Sequence, residues 1–421
     1  MVESSDGVTG AGGSAPLLGF AVLMRMAFSG VDLTPLATDL LARAGADETD
    51  ACALMDAAII LQFKGNVAVA VAVQGLALQV QQHFVLPARL QPARLRVLAL
   101  MAPGDLQANM PLECLLEDSD VDLHLYYVQP DHGLAGAVPA HDVVLVALSE
   151  TEANRPLLKQ LERELAHWPR PVLNRPEHVP RVARDAASLI LSGFPQIAMP
   201  PTVRVGRAEL AKVAAASAGL GEWLAGAEFP LIVRPLDSHA GHDLDKIDDV
   251  AALRTYLDRV ANEAFFVSPF VDYRSPDGLF RKYRIALIDG RPFACHMAIS
   301  SHWMIHYLNA DMADSAAKRA EEAHFMASFD EGFAQRHAAA LRTIADTLGL
   351  EYVCIDCAET TDGRLLIFEV DHAMIVHALD PVDVFPYKQP QMCKVFAAFR
   401  AMLGRAAATG NSAPSPGSSD R

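Results

Sequence analysis

The sequence predicts a mixed α+β protein whose larger, later part consists of hairpins and helices. A small α/β domain with a mostly parallel sheet and a short N-terminal helical segment precede them. Three observations carry this expectation. Strand-like and helix-like runs alternate between residues 92 and 180, the pattern of a parallel sheet with crossover helices. Beyond residue 181 the alternation gives way to hairpins separated by longer helices. Two of those hairpins turn on an Asp-Gly pair, Asp289-Gly290 and Asp362-Gly363, a strong signal for a two-residue type I′ turn.

A chain of 421 residues is long enough for two or three domains and a substantial core. Its 51% apolar and 20% charged content describes a globular protein, and a net charge of −16 argues against nucleic acid or an anionic membrane as partner. Six cysteines give no disulfide framework and suit a reducing compartment. The run Leu17–Met24 is too short to span a bilayer and lacks the basic residues of a secretory signal, so a cytoplasmic protein is expected.

Taken in order, residues 1–32 read as a disordered or loosely packed N-terminus, Gly/Ser-rich and acidic up to residue 14. Residues 33–91 read as helical. Val67–Val73 alternates like a strand, but Leu76, Leu78, Val80 and Gln81 favour a longer helix. In the 92–180 domain, Leu95–Met101, Val121–Tyr127, Asp142–Ala147 and Pro171–Asn174 are strands, with a helix from about Asn154 to His167. Residues 181–405 form the large domain: helices near 181–192, from Arg207 and near 248–261; strands at Phe229–Arg234 and Ala264–Val267; and a long helix over about 313–348 ending at Gly349. Residues 406–421 are Ala/Ser/Pro/Gly-rich and are expected to be disordered.

The chemistry concentrates in the hairpins. With Asp362-Gly363 as the turn, Asp356 stands directly opposite Glu369, and Asp371 shares their face. Three like charges on one sheet face call for a cation, and a hard divalent ion held by Asp356, Glu369 and Asp371 is the natural candidate. In the other hairpin Lys282 and Arg284 share one strand face, and Arg281 and Tyr283 the other, with His296 opposite Tyr283. Two cations on one face suit a polyphosphate; a solvated face is the plain alternative. Arg234 ends an apolar strand and is followed by Pro235–His242, a small-residue loop able to cradle phosphate, though an ordinary strand-to-loop transition would read alike. Cys354 and Cys357 have CxxC spacing, but on a strand they point to opposite faces and cannot chelate one ion. His302, His306, His372, His377 and Lys388 could recognise an anionic acid, and no spacing identifies it.

From about residue 172 to 403 the chain resembles ATP-grasp carboxylate–amine ligases, especially the glutamate-ligase-like type. The resemblance rests on Pro171-Val-Leu-Asn174, Arg184-Asp185, Pro200-Pro-Thr202, Phe229-Pro-Leu-Ile-Val-Arg234, Phe266–Asp272, Arg281-Lys-Tyr-Arg284, and Asp356 with Glu369-Val-Asp371. Over 33–403 it is similar to a group in which such a module follows tetratricopeptide-like helices, on Ala102-Pro-Gly-Asp105, Asn109-Met-Pro-Leu112 and Ala310–Asp314. The resemblance implies an ATP-grasp fold of two α+β halves, with the 92–180 domain as its N-terminal companion. It implies ATP with adenine against the hinge Ser268, Pro269, Phe270, Val271 and Asp272. Arg234, Lys282 and Arg284 would neutralise the phosphates and act catalytically, and Asp356, Glu369 and Asp371 would hold Mg²⁺. The implied reaction joins a small-molecule or peptide carboxylate to an amine through an acyl phosphate, releasing ADP and phosphate.

Four positions depart from the family pattern: Arg234 and Ala186 stand where lysine is usual, the hinge lacks its glutamate near Ser268-Pro269, and Asp371 replaces asparagine. Two other readings therefore stay open: an ATP-grasp-like protein that binds a ligand or partner without turnover, and a small-molecule kinase. Oligomeric state is not readable, and a homodimer remains an open option.

Overall fold

The computed structural model describes residues 15–130, 133–134, 138–216, 218–236, 238 and 241–411. Four helices open the chain: α1 (Phe20–Phe28), α2 (Thr34–Ala46), α3 (Ala51–Phe63) and α4 (Val67–Val80). Asp50 caps α3 by accepting from the Ala53 amide at 2.9 Å. In α4 the residues buried are Ala70, Gln74, Ala77 and Leu78, a helical stripe, which is why the Val-Ala alternation does not make a strand. Gln74 and Gln62 each accept a backbone amide from the next domain, from Gly104 at 2.8 Å and Leu106 at 2.7 Å.

The α/β domain contains β1 (His83–Leu86), β2 (Leu95–Met101), α5 (Leu112–Leu116), β3 (Val121–Tyr127), β4 (Val143–Val146), α6 (Arg155–Leu165) and β5 (Val172–Leu173). Its sheet order is β1-β3-β2-β4-β5, parallel throughout except for the antiparallel edge strand β1. The central strands are buried except at Arg96, as expected of strands covered on both faces.

The larger region contributes α7 (Arg184–Leu191), β6 (Ile197–Ala198), β7 (Val203–Gly206), α8 (Arg207–Ala214), β8 (Leu231–Pro235), β9 (Asp245–Ile247), α9 (Val250–Arg259) and β10 (Ala264–Pro269). It continues through β11 (Phe280–Ile288), β12 (Arg291–Ser300), α10 (Ala316–Ala327), α11 (Ala338–Leu348), β13 (Tyr352–Glu359), β14 (Leu365–Asp371) and α12 (Lys388–Asn411). One half is an antiparallel sheet, β7-β10-β8-β9, with its own core under α8 and α9. The other is β12-β11-β13-β14-β6, whose core is continuous with that of the α/β domain. Asn174, fully buried, joins them by pairing both ways with the Tyr352 backbone at 2.9 and 3.0 Å. The mixed α+β architecture is therefore present.

Several expectations need correction. Residues 17–28 are not loose: Leu17, Phe20, Ala21, Leu23 and Met24 are buried, and Asp56 accepts the Leu18 and Gly19 amides at 2.9 Å each. Residues 83–86 belong to the α/β sheet rather than to the helical segment. The single helix expected over 313–348 is broken by a π-helical turn at Asp330–Ala334, where Phe329 and Phe333 stack at 5.8 Å. Residues 406–411 continue α12, and Ala407 is buried. The disorder expected of residues 1–14 and 412–421 lies outside the described residues.

Candidate active site

Both Asp-Gly hairpins carry a β-bulge beside the site, and the bulges set its geometry. In β11–β12 the turn is the two-residue Asp289-Gly290, with positive φ at both positions (48° and 71°), as a type I′ turn requires. The register then shifts between Arg284 and Ile285, with Cys295 as the extra residue. His296 consequently stands opposite Arg284, not opposite Tyr283, and faces the same cavity.

In β13–β14 the turn is longer than the sequence suggests. Thr360 and Arg364 close it, and Gly363, at φ 83°, takes the left-handed position after Thr361 and Asp362. A bulge at Phe368 then restores the register, so Asp356 faces Glu369 as expected and Asp371 faces Cys354. Without the bulge Asp356 would have faced Phe368.

Strand order brings the two hairpins together: β11 lies next to β13, and Arg284 is registered against Asp356. Arg284 grips the buried Asp356 carboxylate through Nε at 2.8 Å and Nη2 at 3.0 Å, while Lys282 Nζ reaches it at 2.7 Å. Burial alone would raise the Asp356 carboxyl; the Arg284 and Lys282 charges outweigh it and hold it well below the usual carboxylate range. Glu369 is ion-paired with Arg184, the first residue of α7. Its carboxyl too is held low against burial, by Arg184, Arg234 and Lys282. Asp371 accepts the Ala373 amide at 2.9 Å.

Arg234, at the end of β8, is buried at 7% exposure and donates to the Ser238 hydroxyl (3.2 Å) and carbonyl. Among the described residues no carboxylate is ion-paired with it. Burial and repulsion from Arg184 bring its pKa down to about 10, partly offset by Glu369, so it stays cationic at neutral pH.

These groups line one end of a cavity of about 590 Å³ between the two halves. Ser268, Pro269, Phe270 and Val271 from β10 and the residues after it form an apolar wall, while Asp272 turns away, is exposed and pairs with Arg274. Lys388 also lines the cavity, its Nζ 3.9 Å from the Tyr307 ring centre and 4.7 Å from that of Phe385. It contacts Asp380 at 3.2 Å and Glu322 at 3.4 Å. His306 and His377 also line the cavity; His302 opens onto a separate, shallower depression. His372 is buried away from it, donating from Nε2 to the Leu148 carbonyl at 2.8 Å and so tying β14 to the α/β domain. Arg184, His296 and Asp380 escape a reading of the sequence for site residues. Arg184 supplies a cation from the helix where lysine is missing at Ala186. Among the described residues no three His, Cys, Asp or Glu side chains are grouped to hold a metal ion.

No family model matches the chain, and no curated protein matches it. Among solved structures it is similar to D-alanine–D-alanine ligase from Bacillus anthracis complexed with ATP, at 13% identity and a TM-score of 0.45, over 76% of this chain and all of that one. It is also similar to a RimK domain ATP-grasp protein from Sphaerobacter thermophilus, at 17% and 0.40 over 72% and 98%. The D-Ala:D-Ser ligase VanG from Enterococcus faecalis follows at 13% and 0.43, over 74% and 99%. Likeness at this level assigns no activity.

Proposed function

We propose that the protein is an ATP-dependent carboxylate–amine ligase of the ATP-grasp type. The observation that carries this is Arg234: a buried guanidinium at a cavity wall, without a carboxylate partner among the described residues and beside Arg184, Lys282 and Arg284. Arg184, Lys282 and Arg284 are paired with Glu369 and Asp356, but a buried Arg234 without a carboxylate among the described residues is costly unless an anion joins it. A nucleotide polyphosphate supplies that charge, and the apolar wall at Ser268–Val271 suits a base. The substrate carboxylate oxygen then attacks the γ-phosphorus as the bond to ADP breaks. The amine attacks the acyl carbon, loses a proton, and phosphate leaves. Arg184, Arg234 and Lys282 would orient the phosphates and stabilise charge at the transferring group.

Magnesium would need Asp356, Glu369 and Asp371, and as arranged these do not fit it. Both Asp356 oxygens are engaged by Arg284 and Lys282, and Glu369 by Arg184. The protein's own cations stand where a divalent ion would sit.

Calorimetric titration with ATP and ADP tests the nucleotide site. Arg234→Met should weaken binding by roughly ten- to a hundred-fold, the worth of a charged hydrogen-bonding partner. No binding by the unaltered protein at millimolar nucleotide would end this reading. ADP release that requires both an acid and an amine, with an amide product by mass, separates a ligase from a kinase.

A further inference from the structure

The cavity has an apolar flank that the phosphoryl chemistry does not use. Met24 and Phe28 line it from α1, and Met374, Ile375 and Val376 line it from the segment after β14. The two segments meet where the Phe28 ring packs edge-on against His377 at 5.2 Å. Neither brings a charge to the cavity. Arg25, the one charged residue of α1, is ion-paired with Glu117. Residues 373–377 hold no titratable group but His377, whose pKa burial lowers, so its ring is neutral at pH 7. Asp380, whose charge acts on His377, is paired with Lys388 at 3.2 Å.

This flank adjoins the cations. Arg284 Nη1 donates to the Ile375 carbonyl at 3.0 Å, so the guanidinium and the apolar segment share one corner. The flank also reaches solvent: Phe28 is 47% and Ile375 39% exposed, whereas Met24, Met374 and Val376 are buried. Exposed apolar side chains scattered singly call for no explanation. Here they continue a buried apolar wall out to the cavity mouth. Five of the 14 methionines, Met24, Met199, Met304, Met374 and Met392, line this one cavity. The unbranched thioether adapts its shape, so such a wall accepts a flexible apolar chain rather than one rigid outline.

We propose that this flank is a subsite for an unbranched aliphatic chain, so that the acid the enzyme activates is a monocarboxylic acid with an apolar tail. Its carboxylate faces the cations beside Arg284, and its tail runs between α1 and residues 374–376 toward solvent. The fate of the carboxylate rests on the ligase reading; binding of the tail does not require nucleotide. A second charge on the tail is disfavoured, since α1 and residues 373–377 offer no partner for it.

The test is a calorimetric titration of the full chain, without nucleotide, using straight-chain monocarboxylates. Across about four to about ten carbons, affinity should rise roughly three- to four-fold per methylene, the usual gain from burying one, until the chain clears Phe28. Phe28→Ser and Ile375→Ser should each flatten that rise, whereas Phe28→Leu, which keeps an apolar side chain, should retain it. The rise in each variant is read against its own shortest acid, so a general loss of affinity does not imitate the effect. No binding, affinity independent of length, a rise that survives either serine variant, or uptake of more than one chain per protein overturns the proposal. A parallel ADP titration reports the nucleotide site separately, so either reading can fail without the other.

Discussion

Arg284 and Asp356 sit side by side on neighbouring strands and form a two-pronged ion pair, at 2.8 and 3.0 Å, in the wall between the sheet and the cavity. Asp356 is 1% exposed, so its charge depends wholly on protein partners. Removing one member should cost far more than removing both. We expect Arg284→Met to destabilise the fold by roughly 3 kcal/mol, and Arg284→Met with Asp356→Asn to recover part of that loss. Denaturant unfolding of the single and double variants measures it. Lys282 remains on Asp356 in the single variant, so a double variant no more stable than Arg284→Met would show that under-compensation of the buried carboxylate is not what the single change costs.

Stability should pass through a maximum on the acid side of neutrality. Asp356 and Glu369 have depressed folded-state pKa values. Their contribution is present above the unfolded value near ~4 and is lost as pH falls below it. Asp56 and Glu113 act oppositely: burial raises them to about 6 and about 7. The folded state then binds more protons than the unfolded chain between those values and ~4, so their penalty is relieved as pH drops from neutral. Thermal scans should show the melting temperature rising from pH ~7.5 toward ~5.5 and falling below ~4. Asp56→Asn should flatten the rise; an unchanged profile in that variant removes Asp56 as its source.

The Asp356–Glu369 pairing is legible in sequence because an Asp-Gly turn fixes a register, yet the reading succeeds through two compensating departures. The turn is one residue longer than expected, and the Phe368 bulge absorbs the difference. No such cancellation occurs in the other hairpin, where the Cys295 bulge moves His296 onto the site. Neither bulge carries a glycine or any other local mark. Arg184 and Glu369 lie 185 positions apart, and the neighbourhood of β11 and β13 is set by sheet order. Local periodicity reads faces and turns; it does not read which faces meet. Lys282 and Arg284 could thus be assigned to an anion, but their partner Asp356 could not be foreseen.

The first helix forms part of the cavity wall. Met24 and Phe28 line it, and the Phe28 ring meets His377 edge-on at 5.2 Å. Phe28 is 47% exposed, so Phe28→Ala should alter stability by less than ~1 kcal/mol. It should nonetheless weaken ADP binding in the cavity several-fold, by admitting water beside His377. ADP affinity with unfolding measured alongside decides between this and a purely structural helix, for which affinity would be unchanged.

Divalent-metal dependence offers the sharpest contrast between the sequence and the structure. Three carboxylates on one face suggest magnesium. The structure instead engages Asp356 with Lys282 and Arg284, and Glu369 with Arg184. A divalent ion would have to displace these cations from a buried carboxylate before reaching a phosphate. That exchange exposes Arg284 to an unpaired, desolvated state, which costs several kcal/mol by the usual behaviour of buried ion pairs. We therefore expect ADP to bind with an affinity that changes by less than about three-fold between excess Mg²⁺ and EDTA, a difference under ~1 kcal/mol. Arg284→Met frees Asp356 Oδ1 and should raise the dependence. A ten-fold gain with Mg²⁺ in the unaltered protein would mean that the Asp356–Arg284 pair opens readily when nucleotide binds, and that the pairing is a resting arrangement of a metal site.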